Sequence, residues 1–281
     1  MKQLVLTCGL FFLVTLVSAQ SVPSCCKAPS ATAAFASLGS DVNFQNAHAS
    51  PVPMEYAAIG NMITFKTPDG KTSSAYFLPA KQKSNNYLIV FHEWWGLNSY
   101  IKKVSDMLSD SLPNVNIIAV DLYDGKVAAN SDEAKNLMQA STADRSKAII
   151  NGAIGFVGKD ARIATVGWCF GGGWSMQGAL LAGNQLAGCV IYYGMPETDV
   201  ARLKTLNADV LFIWADKDEW INEKVKDDFV QNMKAAGKNL TVKEYPADHA
   251  FANPSNPKYD KGSGDDAWKN TTAFLKKSFA K

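Results

Sequence analysis

The spacing of apolar residues becomes regular from about residue 60 onwards. Residues 62–67 and 74–78 flank a Pro-Asp-Gly turn, an arrangement typical of a β-hairpin. Residues 87–91 (YLIVF) form a continuous apolar run of the kind found in a strand buried on both faces. Residues 100–112 place apolar side chains on one face of a helix. The pattern therefore predicts an N-terminal hairpin, then a central strand and an amphipathic helix.

Strands and helices continue to alternate towards the C-terminus. Further strands are predicted at residues 115–120, 162–166, 188–193, 210–214 and 240–245. One or two helices are predicted within residues 131–156, and others at residues 172–182, 223–236 and 265–279. Such alternation requires crossover connections, so we expect an α/β fold with a mostly parallel sheet and helices on both faces. We find no internal repeat and interpret residues 56–281 as one domain.

Residues 1–19 have a different pattern. Lys2 precedes an almost continuous apolar stretch at residues 4–17, and Ser18 and Ala19 are small residues where signal peptidase cleaves. The stretch is too short and too one-sided for a membrane-spanning helix. We therefore expect a signal peptide cleaved after Ala19, a secreted or periplasmic protein, and no stable membrane insertion after cleavage.

The segment that follows, residues 20–55, is expected to be flexible or loosely draped over the domain. It contains His48 and two adjacent cysteines, Cys25 and Cys26. In an oxidising compartment these two thiols could pair with each other, with another chain or with a thiol partner, or they could be incidental. The mature chain also keeps Cys169 and Cys189, and four cysteines are too few for a disulfide scaffold.

Composition narrows the classes of function. Hydrophobic residues make up 47% and charged residues 19% of the 281 residues, as in a soluble globular protein. The formal net charge of +2 and the lack of a basic run give no reason to expect a nucleic-acid partner. The three histidines have no zinc-ligand spacing, and the glycines after Cys169 lack the arrangement of a dinucleotide site. We expect no metal, no cofactor and a monomeric protein.

The strongest chemical signal is a cysteine between two glycines. Gly167-Trp168-Cys169-Phe170-Gly171 follows a β-branched strand and leads directly into a helix rich in small residues. This is the context of a nucleophile elbow with Cys in place of Ser. A side chain at either glycine would collide with neighbouring backbone, and the helix N-terminus favours a thiolate and an oxyanion. The alternative is a buried structural cysteine beside a glycine-rich helix.

A thiol of ordinary pKa needs a base, and His249 is the only histidine that follows Cys169 in the chain. In α/β-hydrolases the order along the chain is nucleophile, acid, histidine. Asp216 and Asp218 both follow the strand at residues 210–214. Asp218 is preferred, because the chain must turn before a carboxylate can reach back to the histidine, and Asp216 is the reserve.

These motifs resemble the dienelactone hydrolase family. The resemblance rests on HEWWG at residues 92–96, GWCFGG at 167–172, ADKDEW at 215–220 and DHAF at 248–251, and it extends from about residue 60 to the C-terminus. It implies an α/β-hydrolase fold and the hydrolysis of a lactone or ester, as in a carboxymethylenebutenolidase.

Carried over position by position, the resemblance implies a Cys169–His249–Asp218 triad. Glu93 matches the glutamate that contacts the thiol in this family and helps to generate the thiolate. The same glutamate follows the apolar run YLIVF and precedes two tryptophans, where a charge is costly unless it is paired or functional. The N–H groups of Trp94 and Phe170 would form the oxyanion hole.

Two departures concern the substrate. The family holds the carboxylate of dienelactone with arginines, whereas residues 121–144 and 250–254 contain none. Ala215 also replaces a family glycine. We therefore expect neutral lactones or aryl esters to compete well, unless Lys126 reaches the pocket as a point charge. Pocket walls could come from aromatic side chains, which could equally be core residues: Trp94, Trp95, Trp168, Trp220 and Tyr123.

Other functions remain open at this stage. A general carboxylesterase on the same fold would use the same residues. A non-catalytic small-molecule binding protein could have kept the pocket, and Cys25 and Cys26 could form a redox element on a hydrolase scaffold.

Overall fold

The computed structural model describes residues 30–281, and it contains one sheet of eight strands flanked by helices. The strands are β1 (Asn61–Lys66), β2 (Thr72–Leu78), β3 (Asn86–Phe91), β4 (Asn116–Val120), β5 (Arg162–Trp168), β6 (Leu186–Tyr192), β7 (Val210–Ala215) and β8 (Leu240–Tyr245). Their order across the sheet is β1-β2-β4-β3-β5-β6-β7-β8. β2 is antiparallel to both β1 and β4, and all other neighbours are parallel. The mostly parallel α/β fold is confirmed.

The described helices are α1 (Ala31–Leu38), α2 (Val42–Ala47), α3 (Ser99–Ser111), α4 (Ser131–Ala140), α5 (Ala143–Val157), α6 (Phe170–Ala182), α7 (Val200–Leu203), α8 (Glu223–Ala235) and α9 (Lys261–Ala280). Polar side chains accept hydrogen bonds from the first turns of α3, α4, α5 and α8 and so define where these helices begin: Asn98, Asn130, Thr142 and Asn222.

Helices cover both faces of the sheet, as two adjacent residues of β6 show. Neighbouring side chains in a strand point to opposite faces. The sulfur of Cys189 lies 3.7 Å from the hydroxyl of Ser175 in α6. A Cβ atom at Gly188 would instead lie 2.6 Å from the hydroxyl of Ser278 in α9. Helices α6 and α9 therefore pack on opposite sides, as predicted.

The N-terminal segment contains two short helices. We expected residues 20–55 to be flexible or loosely draped over the domain, and the helices α1 and α2 within this range were not part of that prediction. Such short helices are unstable alone and form when tertiary packing supports them. Here Phe35 and Phe44 are fully buried, with their rings edge to face at 5.8 Å. Residues 1–29, which hold the expected signal peptide, Cys25 and Cys26, lie outside the described part.

The parallel strands carry their C-terminal ends to one edge of the sheet. Every residue of β4 and β7 is buried, and β3, β5 and β6 are buried over most of their length. The loops that follow β3, β5, β7 and β8 contain Glu93, Cys169, Asp218 and His249. Open α/β sheets bind ligands at this edge. Within residues 30–281, no helix combines the length and apolar character needed to cross a bilayer.

Candidate active site

Cys169 stands on a strained turn between β5 and α6. Its backbone has φ 57° and ψ −120°, a conformation that a residue with a side chain rarely adopts. A Cβ atom at Gly167 would lie 2.0 Å from the carbonyl oxygen of Gly171, and one at Gly171 would lie 2.4 Å from that of His92. Both glycines are therefore required by close backbone contacts, as the sequence analysis expected.

His249 and Asp218 form a direct, buried pair. The Nδ1 atom of His249 lies 2.6 Å from Oδ2 of Asp218, and both side chains are almost inaccessible to solvent. The other carboxylate oxygen accepts the backbone N–H groups of Trp220 and Ile221, which fixes its orientation. The reserve candidate, Asp216, is exposed and makes no such contact within the described chain. Asp218 thus takes the position expected for the acid.

The thiol of Cys169 lies beside His249. A ring nitrogen of His249 and the sulfur lie within 4.8 Å, and both residues are buried. Burial raises the pKa of the Cys169 thiol, while His249 and the Phe170 backbone N–H oppose this increase. Burial alone would lower the pKa of His249, but the Asp218 carboxylate and Cys169 raise it to about 10. The arrangement pairs a thiol with a strong, carboxylate-supported base.

Glu93 is buried next to this pair. Its carboxylate accepts a hydrogen bond from the side-chain amide of Asn253. Burial raises the pKa of Glu93 to about 7, although His249 and Asn253 counteract part of the effect. From the sequence alone, residues 250–254 differed from the family pattern only in their lack of arginine, and no role was predicted for Asn253.

The two residues expected to donate oxyanion N–H groups lie in the loop after β3 and at the start of α6. Trp94 follows Glu93 in the loop after β3 and is completely buried. Phe170 is the first residue of α6 and directly follows Cys169. Free N–H groups at a helix start are suited to a developing negative charge.

The expected pocket aromatics lie in different surroundings. Trp95 packs on Trp94 at 4.9 Å between ring centroids, and Trp220 approaches His249 edge to face at 6.0 Å. Tyr123 is buried against Phe170, with ring centroids 5.7 Å apart. Trp168 lies with Glu93 and Asn253 around a cavity of only about 20 Å³. Lys126 is exposed.

His48 is the functional candidate that sequence reasoning missed. It follows α2, and its ring centroid lies 5.0 Å from that of His249 and 5.1 Å from that of Trp94. Only 3% of the residue is exposed, and burial together with His249 lowers the pKa of His48 to about 3. A usable signal was the spacing of Phe44 and His48, because residues four apart share one helical face.

We call residues 30–48, with α1 and α2, the N-terminal cap. Phe44 anchors it: the ring contacts Trp94 and Trp220 at 5.2 Å each and His249 at 6.1 Å between centroids. Asp41 accepts a hydrogen bond from the Trp220 indole at 3.3 Å. The cap thus covers the thiol, which is 1% exposed.

The same cap creates a group with metal-binding potential. A ring nitrogen of His48, the sulfur of Cys169 and a ring nitrogen of His249 all lie within 4.8 Å of one another. Sequence spacing had given no reason to expect such a group.

Comparison with known proteins shows which family the chain belongs to. The sequence model of the dienelactone hydrolase family matches residues 74–279. The chain belongs to the dienelactone hydrolase family. Membership places it among the carboxylic ester hydrolases. The cap and β1 precede the matched residues.

Similar proteins cover most of this domain. The chain is 29% identical to "Protein usf" from Aquifex pyrophilus over 78% of this chain and 98% of that protein. It is 26% identical to carboxymethylenebutenolidase 1 from Cupriavidus pinatubonensis over 72% of this chain and 90% of the relative. A dienelactone hydrolase-like promiscuous phosphotriesterase from metagenomic libraries has a similar fold, with a TM-score of 0.68 at 17% identity over 77% of this chain and 98% of that one.

Proposed function

We propose that this chain hydrolyses a lactone or ester through the thiol of Cys169, with His249 as base and Asp218 as the acid that orients it. The observation that carries the proposal is the buried 2.6 Å contact between His249 and Asp218, directly beside a thiol on a strained turn. A base that is itself held by a carboxylate is the arrangement that nucleophilic acyl transfer requires.

The reaction would proceed in two halves. His249 holds the thiol proton in an ion pair with the sulfur, and the sulfur attacks the carbonyl carbon to form a tetrahedral oxyanion held by the N–H groups of Trp94 and Phe170. The C–O bond breaks, and His249 protonates the leaving oxygen. Water, deprotonated by His249, then attacks the thioester, and the carboxylic acid leaves as the thiol is restored.

Glu93 would act in the first half. At neutral pH about half of this carboxyl group is protonated, because burial raises its pKa to about 7. A neutral carboxyl group beside the thiol raises the pKa of the thiol less than a charged carboxylate would. By its resemblance to the family glutamate, Glu93 would help to form the thiolate when substrate arrives.

The substrate is proposed to lack a carboxylate at the position where dienelactone carries one. The sequence contains three arginines, and all are engaged away from the thiol. Arg145 pairs with Asp69 and Asp124, Arg162 donates to backbone carbonyls in α9, and Arg202 pairs with Glu197. Without a charge-assisted clamp, an anionic lactone loses about 1.5–3 kcal/mol per missing hydrogen bond.

The test is hydrolysis of p-nitrophenyl acetate and of matched neutral and anionic lactones by the pure protein. Cys169→Ala should abolish turnover. Cys189→Ala is the matched control, because Cys189 is equally buried but lies against Ser175 under α6. Wild-type activity in Cys169→Ala would disprove the thiol mechanism, and binding without turnover in the wild type would favour a non-catalytic binding protein. A strong preference for the anionic lactone that is lost in Lys126→Ala would contradict the neutral-substrate proposal.

We also propose that the enzyme is exported as a monomer, with the signal peptide removed after Ala19. The support is the apolar stretch at residues 4–17 followed by small residues. Intact mass of protein from its native host should give an N-terminus at Gln20, and size-exclusion chromatography should give the monomer mass. Retention of residues 1–19 would refute the export proposal.

A further inference from the structure

Three nucleophilic side chains from two parts of the molecule meet at one point. Cys169 and His249 come from the sheet edge, and His48 comes from the cap. Their ligand atoms lie within 4.8 Å of one another. Cys169, His48 and His249 are 1%, 3% and 4% exposed, so the cluster is shielded from solvent.

The hydrogen bonds at the far side of each ring determine what faces the cluster. Nδ1 of His48 lies 2.6 Å from the carbonyl oxygen of Phe44. A carbonyl oxygen can only accept, so Nδ1 carries the hydrogen, and in the neutral ring Nε2 is left with a free lone pair. Nδ1 of His249 faces the Asp218 carboxylate in the same way. Within residues 30–281, neither Nε2 atom has an oxygen or nitrogen hydrogen-bond partner.

The lone pair of His48, the sulfur of Cys169 and the Nε2 atom of His249, which shares a proton with that sulfur, thus converge at one point. Metal-ligating histidines characteristically donate their other N–H to a backbone carbonyl or a carboxylate, which fixes the tautomer and orients the ring. Here Nδ1 of His48 faces the backbone carbonyl of Phe44, and Nδ1 of His249 faces the carboxylate of Asp218.

We propose that His48, Cys169 and His249 bind a thiophilic divalent cation of the Zn²⁺ class. Zn²⁺ takes Cys and His ligands at about 2.3 and 2.0–2.1 Å in tetrahedral geometry, so the donor atoms must approach to roughly 3.5 Å. The observed separations, at most 4.8 Å, would shorten by up to about 1.3 Å when the ion binds. Thiolate and imidazole donors favour Zn²⁺ or copper over Mg²⁺ and Ca²⁺.

Charge balance also favours the cation. Binding replaces the thiol proton with a metal–sulfur bond and releases that proton to solvent. The two positive charges of the ion then face one thiolate and the carboxylate behind His249. Such compensation is what a buried ion requires. The bound ion would occupy the sulfur and the base together, and would hold the cap on the domain.

The experiment is a Co²⁺ titration, with Co²⁺ as a coloured substitute for Zn²⁺, followed by displacement with Zn²⁺. The full chain carries Cys8→Ser, Cys25→Ser and Cys26→Ser, so that thiols outside the described residues do not contribute. One equivalent should bind, with a thiolate-to-cobalt charge-transfer band in the near ultraviolet. Losing one of three ligands should weaken binding at least roughly tenfold in His48→Ala. Cys189→Ala should bind as the parent does.

The readout is spectroscopic and does not depend on hydrolysis, so it is independent of the proposed enzyme activity. If His48→Ala does not fold, as judged by circular dichroism, Cys169→Ser provides the second test and should lose the charge-transfer band. Lack of stoichiometric binding, or equal affinity in the parent and His48→Ala, would overturn the proposal. Retention of the band in Cys169→Ser would do the same.

Discussion

At the scale of single residues, two aspartates two positions apart show how strongly local geometry decides a role. Asp218 is buried and contacts His249 at 2.6 Å, whereas Asp216 is exposed. Asp218→Asn should lower kcat by roughly three to four orders of magnitude, because the amide would favour the wrong histidine tautomer. Asp216→Asn is the matched control and should retain kcat. Steady-state kinetics on p-nitrophenyl acetate would measure both, and the opposite ranking would move the role to Asp216.

Glu93 should make stability depend on pH. Burial raises its pKa from the ordinary value of 4.5 to about 7 in the folded protein, so the unfolded chain releases this proton first as pH increases. The contribution is therefore fully present below about pH 4.5 and is lost as pH rises to about 7, at a cost of roughly 3 kcal/mol. Glu93→Gln keeps an acceptor for Asn253 without the charge.

Urea unfolding in buffer with a chelator would measure this effect. We expect Glu93→Gln to match the wild type near pH 4.5 and to exceed it by roughly 3 kcal/mol at about pH 8. A difference that stays constant with pH would show that Glu93 is not protonated in the folded state.

The site residues divide into those that sequence could and could not predict. Cys169, Asp218 and His249 follow buried strands at one sheet edge, so their proximity follows from the topology. His48 is about 120 residues from Cys169 along the chain and belongs to no strand–loop motif. The spacing of Phe44 and His48 indicates that they share a helical face, but it does not indicate what that face packs against. Asn253 was missed because a loop amide carries no signal until its carboxylate partner is known.

At the scale of elements, the turn between β5 and α6 tolerates no added methyl group. Gly171→Ala would place a Cβ atom 2.4 Å from the His92 and Phe91 carbonyl oxygens, so the turn must shift. We expect a loss of at least about 1–3 kcal/mol in unfolding free energy and a large loss of activity.

Gly155→Ala in α5 is the matched control. Nothing lies within 4 Å of the added Cβ, and the site is exposed. Ala is favoured over Gly inside a helix by about 1 kcal/mol, so this variant should be more stable and fully active. Thermal unfolding and kcat would be compared for both, and an active, stable Gly171→Ala would contradict the proposed constraint.

Most elements could be predicted because buried strands and helix faces require recognisable patterns of apolar residues. The central strands are continuous apolar runs. Helices α3, α4, α5 and α8 have apolar faces, and α6 is rich in small residues. Two features could not be predicted. The four-residue α7 is too short to show periodicity. Helices α1 and α2 are only eight and six residues long and owe their stability to contacts with the domain.

At the scale of the whole molecule, the cap should open and close as a unit on the domain. Phe44→Ala removes its buried anchor, and truncation of a buried Phe costs about 3–5 kcal/mol. Because this loss weakens cap docking, alkylation of Cys169 by iodoacetamide should accelerate at least roughly tenfold.

Phe229→Ala is the control for general destabilisation. Phe229 lies in α8 and is as buried as Phe44, but its ring packs on Phe212 of β7. It should lower Tm by a similar or larger amount without accelerating alkylation. Equal alkylation rates in the two variants would show that the thiol becomes accessible by global unfolding and that the cap is not a separate unit.

The closed cap also limits when the thiol of Cys169 can react. Because Cys169 is only 1% exposed, an ester cannot reach the sulfur while the cap is docked. Apparent substrate affinity is then reduced by the fraction of molecules that are open. Oxidants must use the same opening. If substrate drives opening, damage accumulates with turnovers, and an idle enzyme outlives a working one under oxidising conditions.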